Sequence, residues 1–341
     1  MIQLNKMINT DRKIIECVPN FSEGQNADII DKIASSVQST RNVKLLNVEP
    51  DRDYNRTVIT FAGEPLHVKE AAFKAISTAS EQIDMSRQRG EHPRIGATDV
   101  CPMIPVANVT KDECVELSDE LGKDVGEKLG IPVYLYEDTA RSAERRNLEN
   151  IRKGEYEGLE QKLKDWIPDY GPAEYNDKVR RSGATVIGSR FFLIAYNVNL
   201  NTRDVSIANE IARKVRESGS MIADETGVKK RVPGLLKCVK AIGVELNEYN
   251  ITQVSLNLTN YKETSMHEVF ESIKAQAKVH GIEATGSEVI GLVPKEALIE
   301  TGAFYTGNSS GDNLVEEAIK HLGLSQLNTF NPEKKIIENL L

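Results

Sequence analysis

The sequence predicts an α+β fold: two successive ferredoxin-like βαββαβ units with a cleft where they meet. Three observations carry that prediction. The order strand, helix, strand, strand, helix, strand can be read twice along the 341 residues, a length suited to two domains. The helices show the i, i+3, i+4 apolar spacing of elements with one buried face. The marks of a doubly wound α/β sheet are missing. Cys17-Val-Pro-Asn20 stands where a glycine phosphate loop would follow the first strand, and the chain holds neither GxGxxG nor GxxxxGK[ST]. The halves share element order without evident sequence identity.

Taken in order, Lys13 to Pro19 reads as a strand that the turn residues FSEGQN break. Asn26 caps a helix with Ile29, Ile33, Ala34 and Val37 on its inner face. Val43–Val48 and Arg56–Ala62 are strands, the latter rich in β-branched residues. A long helix from Pro65 turns Val68, Ala72, Ala75, Ala79 and Ile83 inward. Val100–Val106 is a strand, and Thr110-Lys-Asp-Glu113 is a capping box opening a helix with Cys114, Leu117, Leu121 and Val125 inside. Pro132–Tyr136 closes the first half, and residues 140–180 form a polar connector. The second half reads as a strand over Arg190–Leu200, a helix from Asp204, strands over Leu235–Leu246 and Ile251–Tyr261, a helix capped by Thr264 and a strand around Val289. The expected division is a flexible extension over 1–10, a first subdomain over 11–183 and a second over 184–341.

Composition narrows the function. With 40% hydrophobic and 28% charged residues, the chain can bury a core and stay in water. A formal charge of −8 disfavours nucleic acid and anionic membranes as partners. No apolar run is long enough to span a bilayer, and the N-terminus lacks the apolar middle of a signal peptide, so a cytosolic protein is expected. The four cysteines, Cys17, Cys101, Cys114 and Cys238, are scattered among apolar neighbours and read as reduced core thiols. No HExxH, CxxC or paired histidines at ligand spacing point to a metal.

Among five histidines, His67 and His267 sit near helix starts, and His280 and His321 late in helices, where structural roles suffice. His92 differs. It lies in the loop MSRQRGEHPRIGA, between glycines 90 and 96, ahead of Pro93 and among Arg87, Arg89 and Arg94. Three arginines in a loop of an acidic protein ask for an anionic partner. A second constellation, Glu49-Pro-Asp-Arg-Asp-Tyr-Asn-Arg56, places Asp51, Asp53 and Arg56 between two strands. A third is the turn Pro19-Asn20-Phe21-Ser22-Glu23-Gly24, leading into a helix N-terminus.

Together, and in this order, CVPNFSEG, NRTV and MSRQRGEHPRIGATDVCPMIPV resemble the formiminotransferase family. VYLYEDTAR, IRKGEYEGL, PDYGP, SGATVIGSRFFLIAYNVNL and GSEVIGLVPKEAL extend the resemblance over nearly the whole chain. It implies two ferredoxin-like subdomains, a homodimer, and transfer of the formimino group from N-formimino-L-glutamate to tetrahydrofolate, a step in histidine breakdown. Formyl transfer between 5-formyltetrahydrofolate and glutamate, and folate binding without catalysis, are the alternatives. The histidine of GEHPR, here His92, is the family's catalytic residue. The NRTV motif brings Asn55 and Arg56. The family's folate segment corresponds to 171–183, and so to Gly171, Pro172, Ala173, Glu174, Tyr175, Ser182 and Gly183. This chain departs from the animal form there: it reads GPAEYNDKVRRSG, longer and without a tryptophan before the last glycine. Animal members are fused to a cyclodeaminase. With the chain ending soon after Asn331-Pro-Glu-Lys-Lys, a monofunctional enzyme with a separate cyclodeaminase is expected.

The implied chemistry suits these residue types. The attacking N5 of tetrahydrofolate must lose a proton and the departing glutamate nitrogen must gain one, and an imidazole can serve both steps. A formimino group is an amidine, so a carboxylate from Asp51, Asp53 or Asp99 would orient it. Arg56, Arg87 and Arg94 are the expected partners of the substrates' carboxylates.

Overall fold

Four consecutive buried residues make β1 (Ile14–Cys17), a strand with no solvent face. In this computed structural model, which describes residues 12–223, 229–311 and 313–341, Val18-Pro19 interrupts it and β2 (Asn20–Phe21) resumes. Pro19 has no N–H to give the ladder, yet its carbonyl still accepts from Ile59 N at 3.1 Å. β1 and β2 pair with the same two neighbours, β4 (Arg56–Gly63) and β5 (Thr98–Ala107), so they serve as one broken strand. The extension expected over residues 1–10 lies outside the described residues.

Around that strand the first unit follows the expected order. α1 (Ala27–Gln38) is capped by Asn26, which accepts from Asp28 N and Ile29 N. Its buried stripe is Ile30, Ile33, Ala34 and Val37, and Ile29, expected inside, is only half-buried. β3 (Val43–Asp51) pairs antiparallel with β4, and α2 (Pro65–Gln82) returns the chain to β5. α3 (Lys111–Asp124) has the expected capping box, Thr110 with Glu113. The sheet order is β3-β4-β1/β2-β5, continued by β7 (Thr185–Ser189) and β6 (Val133–Leu135). The last two run parallel, β7 to β5 and β6 to β7.

β7 is an element the sequence does not announce, since the expected strand begins only at Arg190. All five of its residues are buried, so it shows no alternation, and nothing in its pattern separates it from the apolar run that follows. The strand expected over Arg190–Leu200 is β8 (Ile194–Leu200), and the two compact units divide between Phe191 and Phe192 rather than at 183. The polar connector contains α4 (Leu148–Arg152), α5 (Leu159–Asp165) and α6 (Asp177–Ser182).

The second unit is β8, α7 (Val205–Val215), β11 (Val239–Leu246), β12 (Ile251–Leu258), α8 (Met266–Val279) and β13 (Ala284–Ile290), with antiparallel order β13-β8-β12-β11. A two-stranded ribbon absent from the sequence reading, β9 (Ser220–Ala223) with β10 (Lys229–Val232), interrupts it. β11 therefore starts at Val239, not Leu235. Ser265, not Thr264, caps α8, with Glu268 completing a capping box. Thr264 instead donates to the Lys237 carbonyl at 2.8 Å. Cys17, Cys101 and Cys114 are buried, while Cys238 is half-buried. Among the described residues no helix is long and apolar enough to cross a membrane.

The loop that carries His92 is moored to the first sheet at a pair of glycines. Ala184 N donates to Ile95 O at 2.9 Å and Ala97 N to Ser182 O at 2.8 Å. Gly183 takes a left-handed φ of +67°, and a Cβ on Gly96 would stand 2.0 Å from Ala184 O. Only a residue without a side chain allows that approach. Gly96→Ala is expected to destabilise the protein by about 1–3 kcal/mol, read from urea unfolding. Unchanged stability would show that the mooring is dispensable.

Candidate active site

The site forms where three loops of the first unit converge. The hinge is Asn55, at φ +49°, a left-handed conformation that asparagine tolerates better than most residues. Its Oδ1 accepts from Gly24 N at 2.9 Å, and its Nδ2 donates to Arg89 O at 2.7 Å. The β2–α1 turn, the β3–β4 turn and the His92 loop are thus tied by one amide. Two glycines make room: a Cβ on Gly24 would meet Asp51 O at 2.1 Å and one on Gly90 would meet Tyr54 O at 2.4 Å.

His92 lies half-buried in a small pocket shared with Asn20, Tyr54, Arg56, Gln88 and Asp99. The Tyr54 ring meets the imidazole edge-on, centroids 6.3 Å apart. Burial pushes the His92 pKa down to about 4, and the positive charges of Arg56 and then Arg152 add to the effect. The imidazole is therefore neutral at pH 7. The pocket holds about 10 Å³, room for one water. It shares Asn55 and Gln88 with a wider recess of about 840 Å³.

The other expected residues fall into three groups. Arg56 stands in the pocket, its Nε donating to Asn20 Oδ1 at 2.7 Å and its Nη2 to the same oxygen. Burial lowers its pKa, with Arg152 contributing. Asp99 is buried and already engaged: Oδ1 accepts from Ile95 N at 3.0 Å, and Oδ2 pairs with Arg152. Asp51 lies in the turn and accepts from Asp53 N and Tyr54 N, each at 3.0 Å. Asp53 is exposed in the same turn. Arg87 is exposed on the rim of the wider recess, with Asp84 3.8 Å away.

Arg94 is occupied by protein carboxylates. Its Nη1 and Nη2 donate to Glu157 at 2.8 Å each, Nη1 reaches Glu155 at 3.2 Å, and Nε donates to Gln88 Oε1 at 2.9 Å. Tyr156 N donates to Arg94 O at 2.8 Å. Arg94 thus clasps the His92 loop to residues 155–157, which the sequence reading left out of the site. Arg152 was also missed. A lone arginine in a charged connector gives no spacing signal, whereas Asn20 lies in a turn that the sequence does single out.

The segment 171–183 is divided. Ser182 and Gly183 are buried against the His92 loop. Gly171, at φ +80°, abuts Ile131 and Pro132 instead. Pro172, Ala173 and Glu174 lie in the loop between them, and Tyr175 Oη donates to Tyr156 Oη at 3.2 Å. The remaining histidines have local partners. His67 contacts Arg41, His267 stacks on Phe304, His280 lies 3.7 Å from Glu210, and His321 stacks on Tyr305. Among the described residues, no group of three or more His, Cys, Asp or Glu side chains could hold a metal ion.

A neutral imidazole beside an unpaired guanidinium is equipment for moving a proton next to an anionic reactant. Comparison with known proteins supplies the family. The formiminotransferase domain, N-terminal subdomain, matches residues 14–190, and the formiminotransferase domain matches residues 195–341. A glutamate formimidoyltransferase of Streptococcus pyogenes serotype M1 is 41% identical over 331 residues, covering 96% of this chain and 99% of that one. A glutamate formimidoyltransferase of Thermoplasma acidophilum is 42% identical, over 86% of this chain and 92% of its own. A formimidoyltransferase-cyclodeaminase of Dictyostelium discoideum is 45% identical over 96% of this chain, which spans 60% of that longer protein. The chain belongs to the formiminotransferase family and carries both of its subdomains.

The clasp has a measurable signature. Arg94→Lys keeps the charge but loses the fork, and is expected to lower stability by about 1–2 kcal/mol, with the donor KM changed less than kcat. A large rise in donor KM at wild-type stability would return Arg94 to direct substrate binding.

Proposed function

We propose that this protein is a glutamate formimidoyltransferase, transferring the formimino group of N-formimino-L-glutamate to tetrahydrofolate to give 5-formiminotetrahydrofolate and L-glutamate. The observation that carries the reading is His92: neutral, half-buried, beside Arg56, in a chain that aligns nearly end to end with proteins named for this activity. N5 of the folate attacks the amidine carbon, and His92 takes the N5 proton from the tetrahedral species. The imidazolium returns it to the glutamate nitrogen as the carbon–nitrogen bond breaks. Asn20 and Asn55 fix the ground on which this happens, one holding Arg56 and the other the loop of His92.

The finer assignments belong to the same proposal. The strand order β13-β8-β12-β11, matched by β5-β1/β2-β4-β3, supports two ferredoxin-like units. Folate is assigned to Gly171–Tyr175 with Ser182 and Gly183, the latter two backing the His92 loop. Asp51 is the best placed of the expected carboxylates for the amidine, since Asp99 is taken by Arg152 and Asp51, unlike Asp53, lies near enough to act on both His92 and Arg56. Arg56 and Arg87 are assigned to substrate carboxylates, in the pocket and on the rim of the wider recess. A cytosolic homodimer acting in histidine degradation completes the reading.

His92→Gln is expected to cut kcat by about 10²–10⁴-fold while circular dichroism stays unchanged. Near-normal turnover, or a preference for N-formylglutamate over N-formimino-L-glutamate in direct competition, would overturn the assignment. An imidazole of ordinary pKa would lose roughly threefold in kcat/KM between pH 7 and pH 6. With its pKa lowered to about 4, His92 stays deprotonated over that range, so the profile is expected to be flat. A threefold fall that vanishes in His92→Gln would contradict the lowered pKa.

A further inference from the structure

The arginines of the first unit divide by their partners. Arg94 is held by Glu155 and Glu157, Arg145 by Asp169 and Arg152 by Asp99. Arg56 has no carboxylate within ion-pair distance among the described residues. Its Nε and Nη2 both rest on one neutral amide oxygen, that of Asn20. A partly buried guanidinium without a direct ion-pair partner is costly to keep, even with Asp99, Asp51 and Glu49 acting on it from farther off, and it lines the same small pocket as His92. The charges around the imidazole are then unbalanced. Arg56 and Arg152 oppose its protonation and Asp51 favours it. Asp99 is spent on Arg152 and on Ile95 N, Arg94 is spent on Glu155 and Glu157, and Tyr54 presents an aromatic edge.

We propose that a carboxylate of the amino-acid substrate docks on Arg56, and that this docking is what turns His92 into an effective proton acceptor. The inference rests on the transferase reading and adds to it how binding and chemistry are coupled. In the free protein the imidazole is a poor base because burial, and then the charge of Arg56, oppose its protonation. A bound carboxylate in direct contact with Arg56 offsets that charge, so the proton that N5 must shed finds a willing site only when the donor is in place. No covalent change is involved: the imidazole gains one proton from solvent in the product complex, or from N5 during turnover.

L-glutamate, the leaving product, is a sufficient probe for the full-length protein. Calorimetric titrations at pH 5 in two buffers of different ionisation enthalpy read the protons taken up on binding. Free His92, with a pKa of about 4, is roughly one-tenth protonated at pH 5. Binding is expected to draw in more than about half a proton per site and to be at least roughly twofold tighter at pH 5 than at pH 7. His92→Gln should bind L-glutamate without that uptake, and Arg56→Met should weaken binding at least tenfold. Uptake equal in wild type and His92→Gln overturns the coupling, as does wild-type affinity in Arg56→Met. If L-glutamate fails to bind at all, the docking is wrong. A transferase assay on the same preparation then shows whether the wider functional reading survives.

Discussion

The site depends on one side-chain amide. Asn55 holds the β3–β4 turn in a left-handed bend and, from that position, grips the backbone of two other loops at Gly24 and Arg89. Its oxygen and its nitrogen are both used, so no residue lacking either group could replace it. Arg56, next in the chain, is aimed by this bend toward Asn20, and Gly90 packs against Tyr54. The position of His92 thus follows from hydrogen bonds to backbone atoms rather than from contacts made by the histidine itself.

Much of this was legible in the sequence, and the limits have physical causes. Strands with flanking turns, and helices with clear caps such as Asn26 and Thr110, were found because their signals are local. β7 was not, since a fully buried strand loses the alternation that marks one. The ribbon β9–β10 has four residues in each strand, too few to show a pattern. His92, Arg56 and Asn55 stood out through motif and composition. Arg94 was visible as a cation, yet its partners Glu155 and Glu157 lie too far along the chain for spacing to reveal them. An expected substrate ligand became an internal clasp for that reason. The same distance concealed Arg152.

The electrostatics of the site run against those of the chain as a whole. A net charge of −8 describes a surface that repels dicarboxylates, while the His92 pocket contains arginine charge that the described protein does not fully cancel. Burial and that charge act together on the imidazole, and each raises the energy of the protonated form. Histidine was expected here for its ordinary pKa. The structure instead gives it a strongly perturbed one, the condition in which a bound anion has most leverage.

The clasp of Arg94 on Glu157, and the pair of Asp99 with Arg152, also set a timetable. Each joins residues more than fifty positions apart, 63 and 53, across the connector that carries α4. The sheet beneath them is closed by pairings of still greater separation, β1 with β5 and β5 with β7, as in Cys17 with Met103 and Val100 with Val186, so scaffold and site alike wait for long loops to close. The site therefore cannot be assembled piecemeal onto a finished scaffold, and competence for catalysis arrives together with the sheet that carries it.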